Sequence, residues 1–206
     1  VGFKKNTISF KSIMSGGAGA ETSTLETNTG IDYSHGSLKY TGNTFNMAID
    51  GDGFFALEAA NGMRYTRNGQ FQLSNSGELI TDTGAKVLGQ GGPIVIPKGG
   101  GEILVDKKGI ISVNGKEIGR FMITNFNDLT KIVPTGDSTF AAPEDSIDDS
   151  GEAKFNIAQG YLESSNVSVV TEMVDMITNM RSYEASNNVI KTFSELMERL
   201  IANQAT

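Results

Sequence analysis

The sequence contains no cysteine, which excludes disulfide bonds and thiolate metal sites. Histidine is nearly absent too. With His35 alone the chain cannot build a histidine-based zinc site, and a Ser-His-Asp triad would have to use that one residue. Because His35 lies in a turn-like Tyr-Ser-His-Gly context, we interpret it as an exposed or packing residue. No apolar run approaches the roughly 18 residues that a membrane-spanning helix needs, and the first residues lack the hydrophobic core of a signal peptide.

The formal net charge of -7 argues against nucleic acid as the main partner, since phosphate binding needs a basic face. What the sequence does have is glycine, with 25 residues against 4 prolines, a balance typical of many tight turns. Its 206 residues suffice for one or two domains with a hydrophobic core. Because the sequence begins with Val1, we expect its natural start to lie further upstream.

Three regions differ in character. Residues 1–44 are rich in Ser, Thr, Gly and Asn, and we interpret them as an extended N-terminal arm or linker with one short strand near residues 8–10. Residues 45–160 place short apolar runs between turn signals, which predicts a β-rich middle domain. Residues 161–206 are predicted to form a C-terminal coiled-coil-forming helix. The predicted fold class is therefore mainly β with a long C-terminal α-helix: an antiparallel β-rich middle domain on a helical stem.

Turn signals in the middle region predict an antiparallel meander of short strands. Asn61-Gly62, Asn68-Gly69 and Asn114-Gly115 favour the positive φ angles of type I′ turns, whose twist matches paired strands. The acidic stretch at 143–154 is predicted to be an exposed loop. The predicted strands are residues 45–49, 54–58, 64–66, 71–73, 79–81, 93–97 (PIVIP), 103–105, 110–113 and 120–125.

Helical periodicity begins after Ser165 and Asn166, which we interpret as an N-cap pair, and no glycine or proline follows them. Residues at alternating spacings of four and three are mostly apolar, as in the a/d seam of a coiled coil. Asn187 and Ser194 are the polar members, and a polar seam residue can fix helix register at some cost in stability. We call this set the assembly seam: Val169, Met173, Met176, Met180, Tyr183, Asn187, Ile190, Ser194, Met197 and Ile201.

The length of this helix indicates assembly. Residues 168–201 would span about 50 Å, whereas a compact β domain of the middle region's size is about 35 Å across. A projecting helix with a wide apolar face needs a partner helix. Residues 1–44 are not expected to form that partner, because their glycine and β-branched content opposes a helix. The partner would be a segment preceding Val1, a neighbouring subunit, or both. The alternative is that the helix folds back along the sheet as one layer of an α+β core. A second apolar stripe widens the face: Val189, Phe193, Leu196 and Leu200.

Several stretches together resemble a known family. They are VGFKK at 1–5, YSHGSL at 33–38, TGN at 41–43, AIDGDGFF at 48–55, YTRNGQF at 65–71, GELIT at 77–81, GYLESSNV at 160–167, EMVDMI at 172–177 and RSYEA at 181–185. In this order they resemble the bacterial flagellar basal-body rod proteins, within the wider family of rod and hook axial proteins. The family usually has Gln where this chain has His35.

The resemblance implies a β-rich middle domain on a stem of paired N- and C-terminal helices. It implies a structural subunit that self-assembles helically, with other rod and hook subunits, into the axial tube that transmits torque. A location in the periplasm-spanning rod of the basal body, and type III export without a cleaved signal peptide, are implied as well. Residues 118–121 with Asn125 and Phe126 lean toward the proximal rod subtype, and the distal rod subtype is the alternative.

No catalytic residue, cofactor, metal site or small-molecule substrate is predicted. The residues Asp50, Gly51, Asp52 and Gly53 hint at calcium, but position twelve of an EF-hand loop counted from Asp50 holds Asn61 instead of Glu. We interpret these four residues as a turn. Because they lie in the AIDGDGFF stretch that resembles the family, we call them the signature turn. Arg67 is interpreted as bridging strands or contacting a neighbouring subunit. The competing functions are a surface adhesin or binding β domain with a coiled-coil stalk, which predicts a ligand pocket, and an enzyme, which would need convergent acid and base groups.

Overall fold

The computed structural model describes residues 1–17, 20–97, 99, 101–148 and 155–204. The chain forms two compact units, Val1–Asn166 and Val167–Thr206. The first is built from antiparallel β-strands and the second from one long α-helix, which confirms the predicted fold class. No helix in the described ranges is both long and apolar enough to cross a lipid bilayer.

The regular elements of the described ranges are short, apart from the first two strands and the helix α1 (Val169–Gln204). Two 3-10 helices cover Leu129–Lys131 and Glu144–Ser146. The strands are β1 (Lys5–Gly17), β2 (Ala20–Asp32), β3 (Leu38–Tyr40), β4 (Met47–Gly51), β5 (Phe54–Ala59), β6 (Gly62–Thr66), β7 (Phe71–Leu73), β8 (Leu79–Thr81), β9 (Lys86–Gly89), β10 (Gly92–Pro93), β11 (Ile103–Val105), β12 (Ile110–Val113), β13 (Lys116–Arg120), β14 (Ile123–Thr124), β15 (Val133–Gly136), β16 (Thr139–Ala141), β17 (Phe155–Gln159) and β18 (Tyr161–Glu163).

Strand β5 organises the first unit because successive side chains of a strand enter opposite faces of the sheet. Phe55 and Leu57 enter one core, while Phe54 and Ala56 enter the other, and all four are buried. β6 pairs along one edge of β5, and β9 and β14 share the other edge. Four consecutive apolar residues thus fit a central strand that is covered on both faces.

The largest sheet has the order β15-β16-β6-β5-β9-β8-β7, with β10 beside β9 and β14 beside β5. β11, β12 and β13 form a separate sheet, and the pairs β4–β17 and β3–β18 connect residues far apart in the sequence. The larger core contains Met47, Ile49, Phe55, Leu57, Phe71, Leu79, Val87, Ile94, Ile96, Ile111, Val113, Phe121 and Ile157. The smaller core contains Phe54, Ala56, Tyr65, Phe126, Ile132 and Phe140.

The predicted meander is correct only in part. β7, β8 and β9 are consecutive neighbours and β5–β6 is a hairpin, but β4 pairs with β17 instead of β5. Asn68-Gly69 does not close a hairpin either, since β6 and β7 are not neighbours. Turn residues report where the chain bends, whereas a pairing across about a hundred residues leaves no local signal.

Individual strands follow the prediction to different degrees. The strands at 71–73, 79–81, 103–105 and 110–113 are confirmed with their predicted bounds, as is the Asn114-Gly115 turn, with φ of 51° and 78°. The predicted strand at 93–97 is wrong: only Pro93 lies in a strand, and the N–H groups of Ile94 and Ile96 donate to carbonyls of two separate segments. Proline at both ends removes the donors that a continuous ladder needs. The predicted strand at 120–125 is interrupted between β13 and β14.

The arm is more ordered than predicted. β1 and β2 form a long antiparallel hairpin from the pair Lys5↔Asp32 to the pair Gly17↔Ala20. Its Ser- and Thr-rich sequence lacks the apolar alternation by which a half-buried strand is detected, so the single strand predicted near residues 8–10 was too short. Of the predicted loop at 143–154, residues 149–154 lie outside the described part of the chain.

We expect Gly69→Ala to lower the free energy of unfolding by about 2–3 kcal/mol, a typical cost of overpacking. A Cβ on Gly69 would overlap the carbonyl oxygen of Met47, and the Met47 N–H donates to the Gly69 carbonyl at 2.9 Å, so the two backbones cannot separate freely. Gly119→Ala is the matched control, because a Cβ there meets nothing within 4 Å. Its cost should stay below about 1 kcal/mol. Equal losses in denaturant unfolding would contradict the proposed overlap.

Candidate assembly surfaces and the junction of distant segments

α1 contains 36 residues, which corresponds to about 54 Å of helix. Its start differs from the prediction. The carbonyl of Ser168 accepts the Glu172 N–H at 3.0 Å and its hydroxyl accepts the Thr171 N–H at 3.5 Å, so Ser168 is the residue that caps the helix. The predicted cap residue Asn166 makes different contacts, which are described below.

The large apolar side chains of α1 are exposed. Their exposed fractions range from 44% at Met197 to 72% at Val170. All ten residues of the assembly seam lie on this one helix. Val170, Val174 and Ile177 lie outside the seam and are exposed as well, at spacings of four and three that sequence analysis could have recognised. The apolar surface is therefore wider than predicted.

Four hydroxyl groups of α1 donate hydrogen bonds within the helix. The side chains of Thr178, Ser186, Thr192 and Ser194 each donate to the carbonyl four residues earlier, at 2.9 to 3.0 Å. A hydroxyl that already has a backbone acceptor can be covered by another protein surface at little cost. The polar seam residue Ser194 is therefore compatible with burial.

The signature turn connects β4 to β5, and Gly51 and Gly53 adopt φ of 110° and 109°. Asp52 projects from the turn, and its carboxylate lies 3.6 Å from His35 Nε2. Both side chains are exposed, at 68% and 48%. Among the described residues, no group of three or more His, Asp or Glu side chains could hold a metal ion.

Three segments that are distant in the sequence meet around residues 163–166, at the end of the first unit. β18 pairs with β3, and the Gly2 N–H donates to the Glu163 carbonyl at 3.0 Å. Asn166 ties the segments together: its Oδ1 accepts the Lys5 N–H at 2.9 Å, and its Nδ2 donates to the Asp32 carbonyl at 2.8 Å. The side chain predicted to cap the helix instead joins the leading residues to the end of β2.

A buried ionic cluster lies at this junction. Lys4 Nζ is 2.7 Å from Glu163 Oε1, and Arg67 Nη1 is 3.5 Å from Glu163 Oε2. The side chains of Lys4, Glu163 and Arg67 are 1%, 1% and 3% exposed. Lys4 Nζ also donates to the Ser34 carbonyl, and the Gly36 N–H donates to Glu163 Oε1. We call this group the ionic junction.

Arg67 is held by more than one interaction. Its guanidinium lies 5.1 Å from the centroid of the Phe54 ring, a cation–π distance. Burial lowers the pKa of Arg67, while the negative charges of Glu163 and Asp52 oppose that change. The predicted role of Arg67 in bridging strands agrees with these contacts. Sequence analysis missed Lys4 and Glu163, because their contact spans 159 positions.

Tyr33 packs into the smaller core beside this junction. Its ring centroid lies 6.2 Å from that of Phe54 and 5.7 Å from that of Phe140. Burial raises the pKa of Tyr33 to about 12 from its ordinary value of 10.0. The neutral phenol is therefore the form that the folded chain favours.

Two family descriptions match this chain. The family described as flagellar basal body rod FlgEFG protein C-terminal matches residues 158–203, and the family described as flagellar hook protein FlgE/F/G D1 domain matches residues 48–113. The first match covers β18 and most of α1, and the second covers the signature turn and the strands around β5.

Curated relatives match over most of the chain. The flagellar basal-body rod protein FlgG of Bacillus subtilis is 31% identical over 98% of this chain and 87% of the relative. FlgF of Caulobacter vibrioides is 34% identical over 84% of this chain and 70% of the relative. FlgF of Salmonella typhimurium is 31% identical over 94% of this chain and 82% of the relative. Rod proteins named FlgG and FlgF therefore match at similar identity.

Titration of Tyr33 gives a testable prediction. The unfolded phenol ionises near pH 10, whereas the folded one ionises at about 12. Its contribution to stability is therefore fully present below about pH 10 and is lost as the pH rises toward 12. The free energy of unfolding should fall more steeply across this window in the wild type than in Tyr33→Phe. Parallel curves from denaturant titrations would contradict the raised pKa.

Proposed function

The chain belongs to the family of flagellar basal-body rod proteins, and from this premise we propose that it assembles helically, with copies of itself and with other rod and hook subunits, into the axial tube that transmits torque. As a member of this family it is a structural subunit of the basal-body rod. An interface that joins unlike faces of successive subunits without closing produces an open helical assembly. The function is geometric, and we propose no catalytic step.

The exposed apolar face of α1 carries this proposal. A soluble chain rarely exposes a continuous apolar patch unless it is an interaction site. Burial of one Val, Leu, Ile, Phe or Met side chain contributes about 1.5–3 kcal/mol. Pairing of α1 with helices of the same assembly would bury many such side chains at once, so covering this face supplies the driving force for assembly.

The breadth of the face favours more than one neighbouring helix. Val170, Val174 and Ile177 extend the apolar surface beyond the assembly seam. An apolar face wider than a coiled-coil seam suits an environment that covers the helix on more than one side. In the tube we propose that the seam contacts one neighbour, with Asn187 fixing the register, and that the wider face contacts others.

We propose a three-part organisation for this role. Residues 1–44 form the arm, residues 45–160 the β-rich domain, and residues 161–206 the part that carries the assembly helix, which β18 leads into. The proposed role of the signature turn (Asp50, Gly51, Asp52 and Gly53) is to direct β5 into both cores.

The family places the chain in the flagellar basal body. We further propose that it lies in the part of the rod that spans the periplasm, and that it is exported by the type III route without a cleaved signal peptide. The alternative of a surface adhesin has no observation in its favour among the described residues. The family match supports a structural role over an enzymatic one.

Substitution in the assembly seam tests the proposal. Met180→Asp and Ile190→Asp should each reduce assembly by more than about tenfold, because an unpaired carboxylate would be buried in an apolar interface. The two side chains are 58% and 63% exposed, so the isolated chain should keep its fold. Assembly is measured by sedimentation and electron microscopy with the other rod subunits present, and folding by the thermal transition of the β domain.

Matched controls add the same charge elsewhere on α1. Thr178 and Asn188 lie two residues before Met180 and Ile190, which places them about 200° around the helix. Thr178→Asp and Asn188→Asp should assemble better than the seam variants. If all four variants assemble like the wild type, the seam is not the assembly surface. Loss of the thermal transition in the seam variants alone would identify α1 as an ordinary core helix.

A further inference from the structure

The ionic junction buries two cations with one carboxylate. Lys4 and Arg67 each approach a different oxygen of Glu163, and all three side chains are at least 97% buried. The further carboxylates whose charge acts on the cations, Asp32 toward Lys4 and Asp52 toward Arg67, both belong to exposed residues. Glu163 is thus the principal buried counter-charge of both cations.

The same residue connects three segments through hydrogen bonds. Its carbonyl accepts the Gly2 N–H at 3.0 Å, and Oε1 accepts the Gly36 N–H at 2.9 Å and the Lys4 ammonium at 2.7 Å. One residue later, the Ser164 N–H donates to the Ser37 carbonyl at 2.9 Å. Residues 2–5, residues 34–37 and residues 163–166 are therefore held to one another at Glu163.

We propose that Glu163 is a positioning residue that makes the docking of residues 2–5 and the fixing of residues 163–166 a single event. Lys4 in the ionic junction thus helps to hold residues 163–166, which precede α1 in the sequence. This coupling lies within the first unit and does not depend on the proposed assembly.

Charge balance separates this role from simple packing. Replacing Glu163 leaves two buried cations without their carboxylate, and an uncompensated buried charge is strongly destabilising. Replacing Lys4 by an apolar residue leaves Arg67 and Glu163 as a balanced pair. Loss of Glu163 should therefore cost more than loss of Lys4. In the absence of Glu163, removal of Lys4 should restore part of the lost stability, because it removes one of the two unpaired cations.

The experiment compares the full chain carrying Glu163→Gln, Lys4→Met or both. Midpoints of thermal unfolding report stability. We expect Glu163→Gln to have the lowest midpoint and the double variant to lie above it. Glu78→Gln is the matched control: Glu78 and Lys86 are also 2.7 Å apart, but their side chains are 24% and 42% exposed. An exposed pair of this kind contributes little, so the midpoint of Glu78→Gln should barely move.

Amide hydrogen exchange reports the coupling. In Glu163→Gln, the amides of Gly2, Lys5, Gly36 and Ser164 should all exchange faster, by about 100-fold or more, because breaking a buried ion pair opens the segments that it held. The Ala56 amide, which donates to the Met122 carbonyl in the sheet, should change less.

Two results would overturn the proposal. One is a double variant no more stable than Glu163→Gln, including the case in which neither folds, because the losses would then add as ordinary packing losses do. The other is faster exchange at Gly36 and Ser164 while Gly2 and Lys5 keep their protection, because the leading residues would then dock without Glu163.

Discussion

A single α-helix has no means of burying its own apolar side chains, and this constraint determines what the molecule can do. Fifteen large apolar side chains of α1 are exposed, and a helix of this kind is stable in water chiefly through tertiary or quaternary packing. In the proposed assembly, neighbouring subunits supply that packing partner. The chain therefore combines a β unit that folds around its own cores with a helix whose large apolar side chains are exposed.

Long-range contacts hold the β unit together. β5 is buried on both faces and contributes side chains to both cores. The last two strands of the unit, β17 and β18, pair with the early strands β4 and β3. The ionic junction lies where β18 ends, and Asn166 ties the last residues of the unit to Lys5 and Asp32. Stretches that are far apart in the sequence but resemble the same family thus meet in one buried group.

Sequence patterns predicted what is local in this fold. The helix, the Asn114-Gly115 turn and strands such as β7, β8 and β11 follow from periodicity and turn chemistry, which act over a few residues. The pairing of β4 with β17 and the contact of Lys4 with Glu163 depend on distant residues, so no local pattern reveals them. Asn166 shows how the two levels compete: it suits a helix cap by residue type, yet tertiary hydrogen bonds with Lys5 and Asp32 use its side chain. The helix that carries the assembly seam could be predicted because an apolar stripe at helical spacing is visible in the sequence whether or not its partner is known.

The methionines of the seam offer the most direct test of whether assembly covers α1. Met173, Met176, Met180 and Met197 are exposed in the isolated chain, and Met63 of the β unit is an internal reference with an exposed fraction of 45% against 44% for Met197. Oxidation to the sulfoxide requires access of the oxidant to the sulfur. The rate at each methionine, read by mass spectrometry, can be compared between the free chain and assembled tubes. We expect the four seam methionines to become protected together, and more strongly than Met63. Seam methionines that oxidise as fast in the tubes as in the free chain would contradict it.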